Sequence, residues 1–252
     1  MLPSLIRKTS CAATLCLVGL LTFDASAADV QLKGNHLKVK FDKDASETIS
    51  ILGEDGLIGV FADGEMVAVH TGIEHISVKG SPSDDTLEID QSVVIAGHLN
   101  IKSGAGDDDI TLSGVFMKNV KVNLGTGNDV LEETENWLFV GGSFTIKAGA
   151  GEDEVDFHQS MLVQGSMSID LGKGLPGNED LYLVTGPHEI VKTLSVRLSK
   201  KGDEDVVFRD VATTKLIIRG GQGHNTVDLQ SGDNAFGKAT YKKIDAFIYP
   251  AI

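Results

Sequence analysis

The sequence predicts an all-β fold, a single-stranded parallel β-helix (β-solenoid) of about seven regular coils with a cap at each end, and three observations predict it. A motif made of an alternating apolar run, a turn rich in glycine and aspartate, and a second alternating run recurs seven times. Its apolar positions fall into ladders of like residues from copy to copy. No stretch carries the period of a long amphipathic helix.

The clearest copy is LNIKSGAGDDDITL, residues 99–112. The others begin at Ile76 (ISVKGSPSDDTLEI), Val120 (VKVNLGTGNDVLEE), Phe144 (FTIKAGAGEDEVDF), Met167 (MSIDLGKGLPGNEDLYL), Leu194 (LSVRLSKKGDEDVVF) and Leu216 (LIIRGGQGHNTVDL). Their second apolar position is Val78, Ile101, Val122, Ile146, Ile169, Val196 and Ile218, at spacings of 23, 21, 24, 23, 27 and 22 residues. A unit this short cannot bury its own apolar face, so the copies must stack. Within a copy the period is two. Leu99 and Ile101 face one way, Asn100 and Lys102 the other, and Ile110 and Leu112 repeat the pattern after the turn. A third short run, such as VVIA at Val93, LFV at Leu138 or MLV at Met161, completes most coils. Strands that return in the same direction once per coil make parallel sheets, with coils about 4.8 Å apart.

The positions expected to point inward after the turn are Leu87, Ile110, Leu131, Val155, Leu181, Val206 and Val227, followed by Ile89, Leu112, Glu133, Phe157, Leu183, Phe208 and Leu229. Glu133 alone breaks the apolar pattern. It opens LEETENW, where the coil is expected to bulge outward, with Trp137 either folded back as a plug, the favoured reading, or exposed as a contact residue.

Residues 1–27 read as a signal peptide. Arg7 and Lys8 form a positive end, residues 11–21 an apolar centre, and Ala25-Ser26-Ala27 a small-residue cleavage site. Eleven apolar residues are too few to span a bilayer, which needs about 20, so the expectation is an exported protein: secreted, surface-bound or periplasmic. Cys11 and Cys16 leave with this segment. Removing Arg7, Lys8 and Asp24 takes the formal charge from −14 to −15. That balance argues against nucleic acid and anionic membrane as partners, since both need a basic face. Residues 28–75 are β-rich but off the repeat register and read as an N-terminal cap with irregular coils. Residues 76–235 are the repeats, and 236–252 a closing strand with Lys242 and Lys243 on its outer edge.

Several strings imitate known motifs. Gly172 to Gly177 (GKGLPG) matches a dinucleotide fingerprint, but a strand rather than a helix follows it. Gly232 to Lys238 (GDNAFGK) imitates a phosphate loop, yet Ala239 stands where a hydroxyl is required. The seven histidines lie mostly one per coil and read as exposed loop residues, with a cluster across neighbouring coils the open alternative. Carboxylates on neighbouring coils could pair for glycan cleavage. The coils are near-minimal and carry few basic residues, so a carbohydrate-active enzyme, a polysaccharide lyase or glycosidase, is the lesser reading.

The most specific signal is the turn itself: GAGDD at Gly104, GTGND at Gly125, GAGED at Gly149 and the weaker GQGHN at Gly221. These resemble the calcium-binding repeats of the RTX (hemolysin-type) proteins. The resemblance covers roughly residues 76–230, with one turn per coil instead of a turn every nine residues. It implies calcium held between coils by the turn aspartates, with Asp108, Asp129 and Asp153 the best candidates and Asp85 a fourth. The position aligned with that aspartate runs Asp85, Asp108, Asp129, Asp153, Glu179, Glu204 and Asn225, an acidic edge. Corner geometry alone also explains the turn, because glycine permits positive φ and Asp or Asn accepts hydrogen bonds from turn amides. The functional expectation is a non-enzymatic exported scaffold, structural or adhesive, whose flat faces present repeated side chains to a cell-surface or matrix component such as a glycan.

Overall fold

In the computed structural model the described residues are 28–43, 45–133, 137–173, 179–201, 203–229 and 233–248, with only the main chain described for 179–186. The expected signal segment with its two cysteines lies outside them, as do 174–177 of the dinucleotide-like string and Gly232 of the phosphate-loop-like string. The described chain is all-β, a β-solenoid of about seven turns without a helix.

Three strands and three corners make a coil. The first face stacks His36–Lys40, His75–Lys79, Leu99–Ala105, Val120–Thr126, Phe144–Ala150 and Met167–Asp170 in parallel. The second stacks Thr48–Glu54, Thr86–Ile89, Asp109–Leu112, Val130–Glu132 and Glu154–Phe157. The third stacks Val94–Ile95, Gly114–Phe116, Leu138–Val140 and Met161–Val163. Beyond them Glu179–Arg197 runs through all three faces as one strand, pairing with Glu154–Phe157, Met161–Val163 and Met167–Asp170 in turn. Asp203–Arg219 follows it, with register shifts between Thr185 and His188 and between Ile190 and Thr193. Those two irregularities take up the bends that separate strands elsewhere.

The core is a set of columns. On the first face Val78, Ile101, Val122, Ile146, Ile169, Val196 and Ile218 stack in register, each no more than 2% exposed. On the second face the expected column holds except in the repeat that begins at Met167. There Tyr182 pairs with both Val155 and Val206, and Val184 with Phe157 and Phe208, so the main-chain register sets Tyr182 and Val184, rather than the expected Leu181 and Leu183, level with those columns. The cause is the apolar run LYLV, in which either alternate set is hydrophobic; pairing with neighbours, not alternation, fixes its register. Glu133 keeps its inward position. It is fully buried, and the expected outward bulge falls on residues 134–136, outside the described residues. Trp137 does not fold back as a plug: it is 44% exposed, its ring 5.6 Å from that of Phe139.

At the N-terminal end Asp29–Lys33 lies antiparallel on His36–Lys40, and Thr48–Glu54, Leu57–Ala62 and Glu65–Thr71 form an antiparallel meander. Its turns are Asp55-Gly56 and Asp63-Gly64, all four residues at positive φ, the pair that a tight hairpin requires. His36–Lys40 and Thr48–Glu54 within this region already lie parallel to the first repeat. At the other end Ala235–Lys242 and Ala246–Ile248 add a last, partial coil in parallel register. Lys238 and Lys242 on its exposed strand are charges of the kind that discourage further strand pairing.

Candidate functional site

The glycine-aspartate turns form the corner between the first and second faces, and their backbones pass too close for a side chain. Gly125 has φ +116°, and a Cβ there would lie 2.0 Å from the Gly104 carbonyl oxygen. Gly149 stands in the same relation to Gly125. Stacking alone therefore accounts for these glycines.

Two columns of polar side chains run along this corner in opposite senses. In the outer one, Asp84 Oδ1 accepts the main-chain N–H of Asp107 at 2.8 Å, Asp107 Oδ1 that of Asn128 at 2.7 Å, and Asn128 Oδ1 that of Glu152 at 2.9 Å. The inner column holds the four expected calcium ligands. Asp108 Oδ1 accepts the N–H of Asp85 at 2.9 Å, Asp129 Oδ1 that of Asp108 at 2.9 Å, and Asp153 Oδ1 that of Asp129 at 3.1 Å. Each turn is thus tied forward by one side chain and backward by the next, supplying partners for amides that the bent backbone takes out of the sheet ladder. That is the use of the paired DD, ND and ED.

The acidic edge is consequently split in two. Successive residues of an extended segment point to opposite sides, so Asp84, Asp107 and Glu152 face solvent while Asp85, Asp108, Asp129 and Asp153 are 4%, 2%, 0% and 1% exposed. In the repeat that begins at Met167, Asp180 and not the expected Glu179 pairs with Glu204. Coils without both glycines close differently: the N–H of Ser81 donates to Asp85 at 2.7 Å, and that of Ser199 to Glu204 at 2.7 Å.

Burial lifts the Asp108 carboxyl to about 7 and that of Asp129 to about 6, against the opposing hydrogen bonds from the Asp85 and Asp108 amides. Burial raises Asp85 as well. Two unit charges about 4.8 Å apart repel by roughly 0.9 kcal/mol in water and about 3.5 kcal/mol at an effective dielectric near 20, so a fully ionised inner column favours taking up protons or a cation. Asp85 Oδ1, Asp108 Oδ2 and Asp129 Oδ2 are buried and accept no hydrogen bond. Free carboxylate oxygens of this kind suit calcium, which takes oxygen ligands. Among the described residues no three His, Cys, Asp or Glu side chains converge on one point as a metal group.

Comparison with family models, with curated proteins and with solved structures gives no match. The chemistry of the site is read from its own residues.

The sequence reads the histidines as exposed loop residues and leaves a cluster across neighbouring coils open; the structure gathers three of them. His36 and His75 are in register with ring centroids 5.8 Å apart, and His98 stacks on His75 at 5.4 Å. The Nδ1 of His75 accepts the N–H of His98, and the Nδ1 of His98 that of Asn119, so these rings clip the next corner as the aspartates clip theirs. His188 is buried, with Nε2 2.8 Å from the Phe157 carbonyl oxygen, and burial depresses its pKa to about 4.

The outward sides of the three faces differ in kind. On the second face Glu88 and Asp109, Glu132 and Glu154, Asp156 and Asp228 make an acidic surface. On the third Val94, Val115, Phe139 and Leu162 form an apolar row, with Val94 58% and the adjacent Met117 52% exposed. On the first face one column runs Lys40, Lys79, Lys102, Asn123, Lys147, Asp170, Arg197, Arg219, Lys242. Seven of its nine positions are cationic in a chain of net charge −14. The formal charge misdescribed this face. The signal was present in the repeats, where ISVK, LNIK, FTIK, LSVR and LIIR place a cation at the same step.

Proposed function

We propose that this chain is an exported, non-enzymatic β-solenoid that serves as a structural or binding scaffold for a cell-surface or matrix component, with its corner stabilised by calcium. The observation that carries this reading is the recurrence of one kind of group along two faces: seven cations among the nine positions of the first-face column, and the successive apolar residues Val94, Val115, Phe139 and Leu162 on the third. A repeated surface of that kind suits a repeated ligand, whereas catalysis needs one constellation at one place. The regular corner supports the calcium part of the reading, because Asp85, Asp108 and Asp129 each keep a buried oxygen free of hydrogen bonds.

The test is incubation of the purified chain with acidic and neutral glycans, scored for both capture and cleavage. The scaffold reading expects capture with no new chain ends. Steady release of oligosaccharides from polygalacturonate or alginate, lost on substituting a surface carboxylate such as Glu132, would make the chain a carbohydrate-active enzyme instead.

A further inference from the structure

Near the C-terminal end the basic column opens into a pocket of about 520 Å³ lined by Arg197, Lys200, Lys201, Arg219, Lys242 and Lys243, together with Leu198, Gly220, Gly221 and Gln222. Six of these ten lining residues are cationic and none is acidic. All six cations are exposed, and the Arg197 guanidinium contacts Asp170 at 3.3 Å from outside the lining. From Lys40 to Lys242 the column spans eight coil steps of about 4.8 Å, roughly 38 Å in all.

We propose that this column and pocket form the binding surface for a linear acidic polysaccharide, laid along the solenoid axis with one acidic group seated in the pocket. Cations that recur along the column, interrupted only at Asn123 and Asp170, lose their mutual repulsion when a polyanion displaces the counterions between them. The polyanion must carry charge at regular intervals, as the column does. Nucleic acid is the weaker fit, since no aromatic side chain lines the pocket to stack a base. A second copy of this chain is the weaker fit as well, since the acidic positions of its second face are interrupted by Thr86, Thr111 and Val130. On the same strands, two residues before the cations and on the same outward side, Ser77, Asn100, Thr145 and Ser195 offer hydrogen bonds to sugar hydroxyls.

The inference rests on the scaffold reading but is tested apart from it. Binding of the full chain is measured in excess chelator, so that calcium does not bridge polyanion to acidic turns, against polygalacturonate, dextran sulfate, neutral dextran, oligothymidylate and phosphatidylglycerol vesicles. Expected are binding to the two acidic polysaccharides, none to neutral dextran, and a loss of about tenfold or more between about 50 and 200 mM salt. Combining Arg197→Ala, Arg219→Ala and Lys242→Ala should weaken binding about tenfold or more. The charge-matched set Lys33→Ala, Lys118→Ala and Lys192→Ala, exposed cations off the column, should bind as the parent does. Melting curves equal to the parent's show that both sets fold. Unchanged binding by the first set, equal loss by both, or tighter binding to oligothymidylate or vesicles would overturn the proposal. If the polysaccharide is bound and also cleaved, the surface stands and the non-enzymatic reading falls.

Discussion

The Oδ1 of Asp129 accepts the main-chain N–H of Asp108 at 2.9 Å, while Asp107 Oδ1, one residue earlier in the chain than Asp108, accepts the N–H of Asn128 at 2.7 Å. Adjacent coils are thereby joined twice at one corner, in opposite directions, once inside and once outside. The inner bond hides a carboxylate from water.

Stability should therefore depend on pH in the sense opposite to a salt-bridged acid. The folded-state values of about 7 for Asp108 and about 6 for Asp129 lie above the ordinary 3.8. Between those limits the folded chain binds more protons than the unfolded one, so stability from this column is present in acid and is lost as pH rises through 6 to 7. In excess chelator the melting temperature is expected to fall by several degrees from pH 5 to pH 8. Asp129→Asn should flatten that slope. A melting temperature that rises over this range would refute the assignment.

Calcium should reverse the loss. Binding to the folded state alone raises its stability, so at pH 8 millimolar calcium is expected to raise the melting temperature and chelator to lower it. Asp129→Ala should blunt this response more than Glu204→Ala, because Asp129 stands between coils that keep both glycines and its second oxygen accepts no hydrogen bond, whereas Glu204 accepts the N–H of Ser199. Identical melting curves in calcium and in chelator would leave the column as a hydrogen-bonded clip that titrates.

The apolar columns were legible in the sequence because alternation has only two outcomes, and Val78, Ile101 and Val122 repeat the same one at nearly constant spacing. The acidic corner was legible as a location but not as an orientation. In GAGDD two aspartates follow one another, and only their pairing with the coils on either side decides that Asp107 faces solvent and Asp108 the interior. The repeat that begins at Met167 departs from its expected register for the same reason, since Leu181 and Tyr182 are both acceptable core residues. The basic column was hidden by averaging: Lys79, Lys102, Lys147, Arg197 and Arg219 share one repeat position, but a net charge sums over all three faces.

Glu133 is a buried acid without a share in the corner. It stands in the second-face column next to Phe157, neither oxygen completes a hydrogen bond, and burial lifts its carboxyl to about 7, only partly offset by the nearby Gln159 N–H. Replacing such a group by an apolar one removes a desolvation cost. Glu133→Leu is expected to stabilise the fold by about 1 to 3 kcal/mol at neutral pH, read as a higher denaturant midpoint with an unchanged slope. The gain should shrink as pH falls from about 7 to 4.5 and level off below that, where the carboxyl is protonated in both states.

The glycine turns allow a test of whether coil stacking or metal selects them. Gly125→Ala places a Cβ 2.0 Å from the Gly104 carbonyl oxygen at φ +116°, and the neighbouring backbone has no flexible end to yield. Gly56→Ala, at φ +79° in a hairpin turn with nothing within 4 Å, meets the conformational cost alone. Gly125→Ala is expected to cost more than about 3 kcal/mol and Gly56→Ala about 1 kcal/mol, in chelator and in calcium alike, because the clash belongs to the stack itself. If the cost at Gly125 appears only in calcium, the glycine serves the ion and not the close approach of the coils.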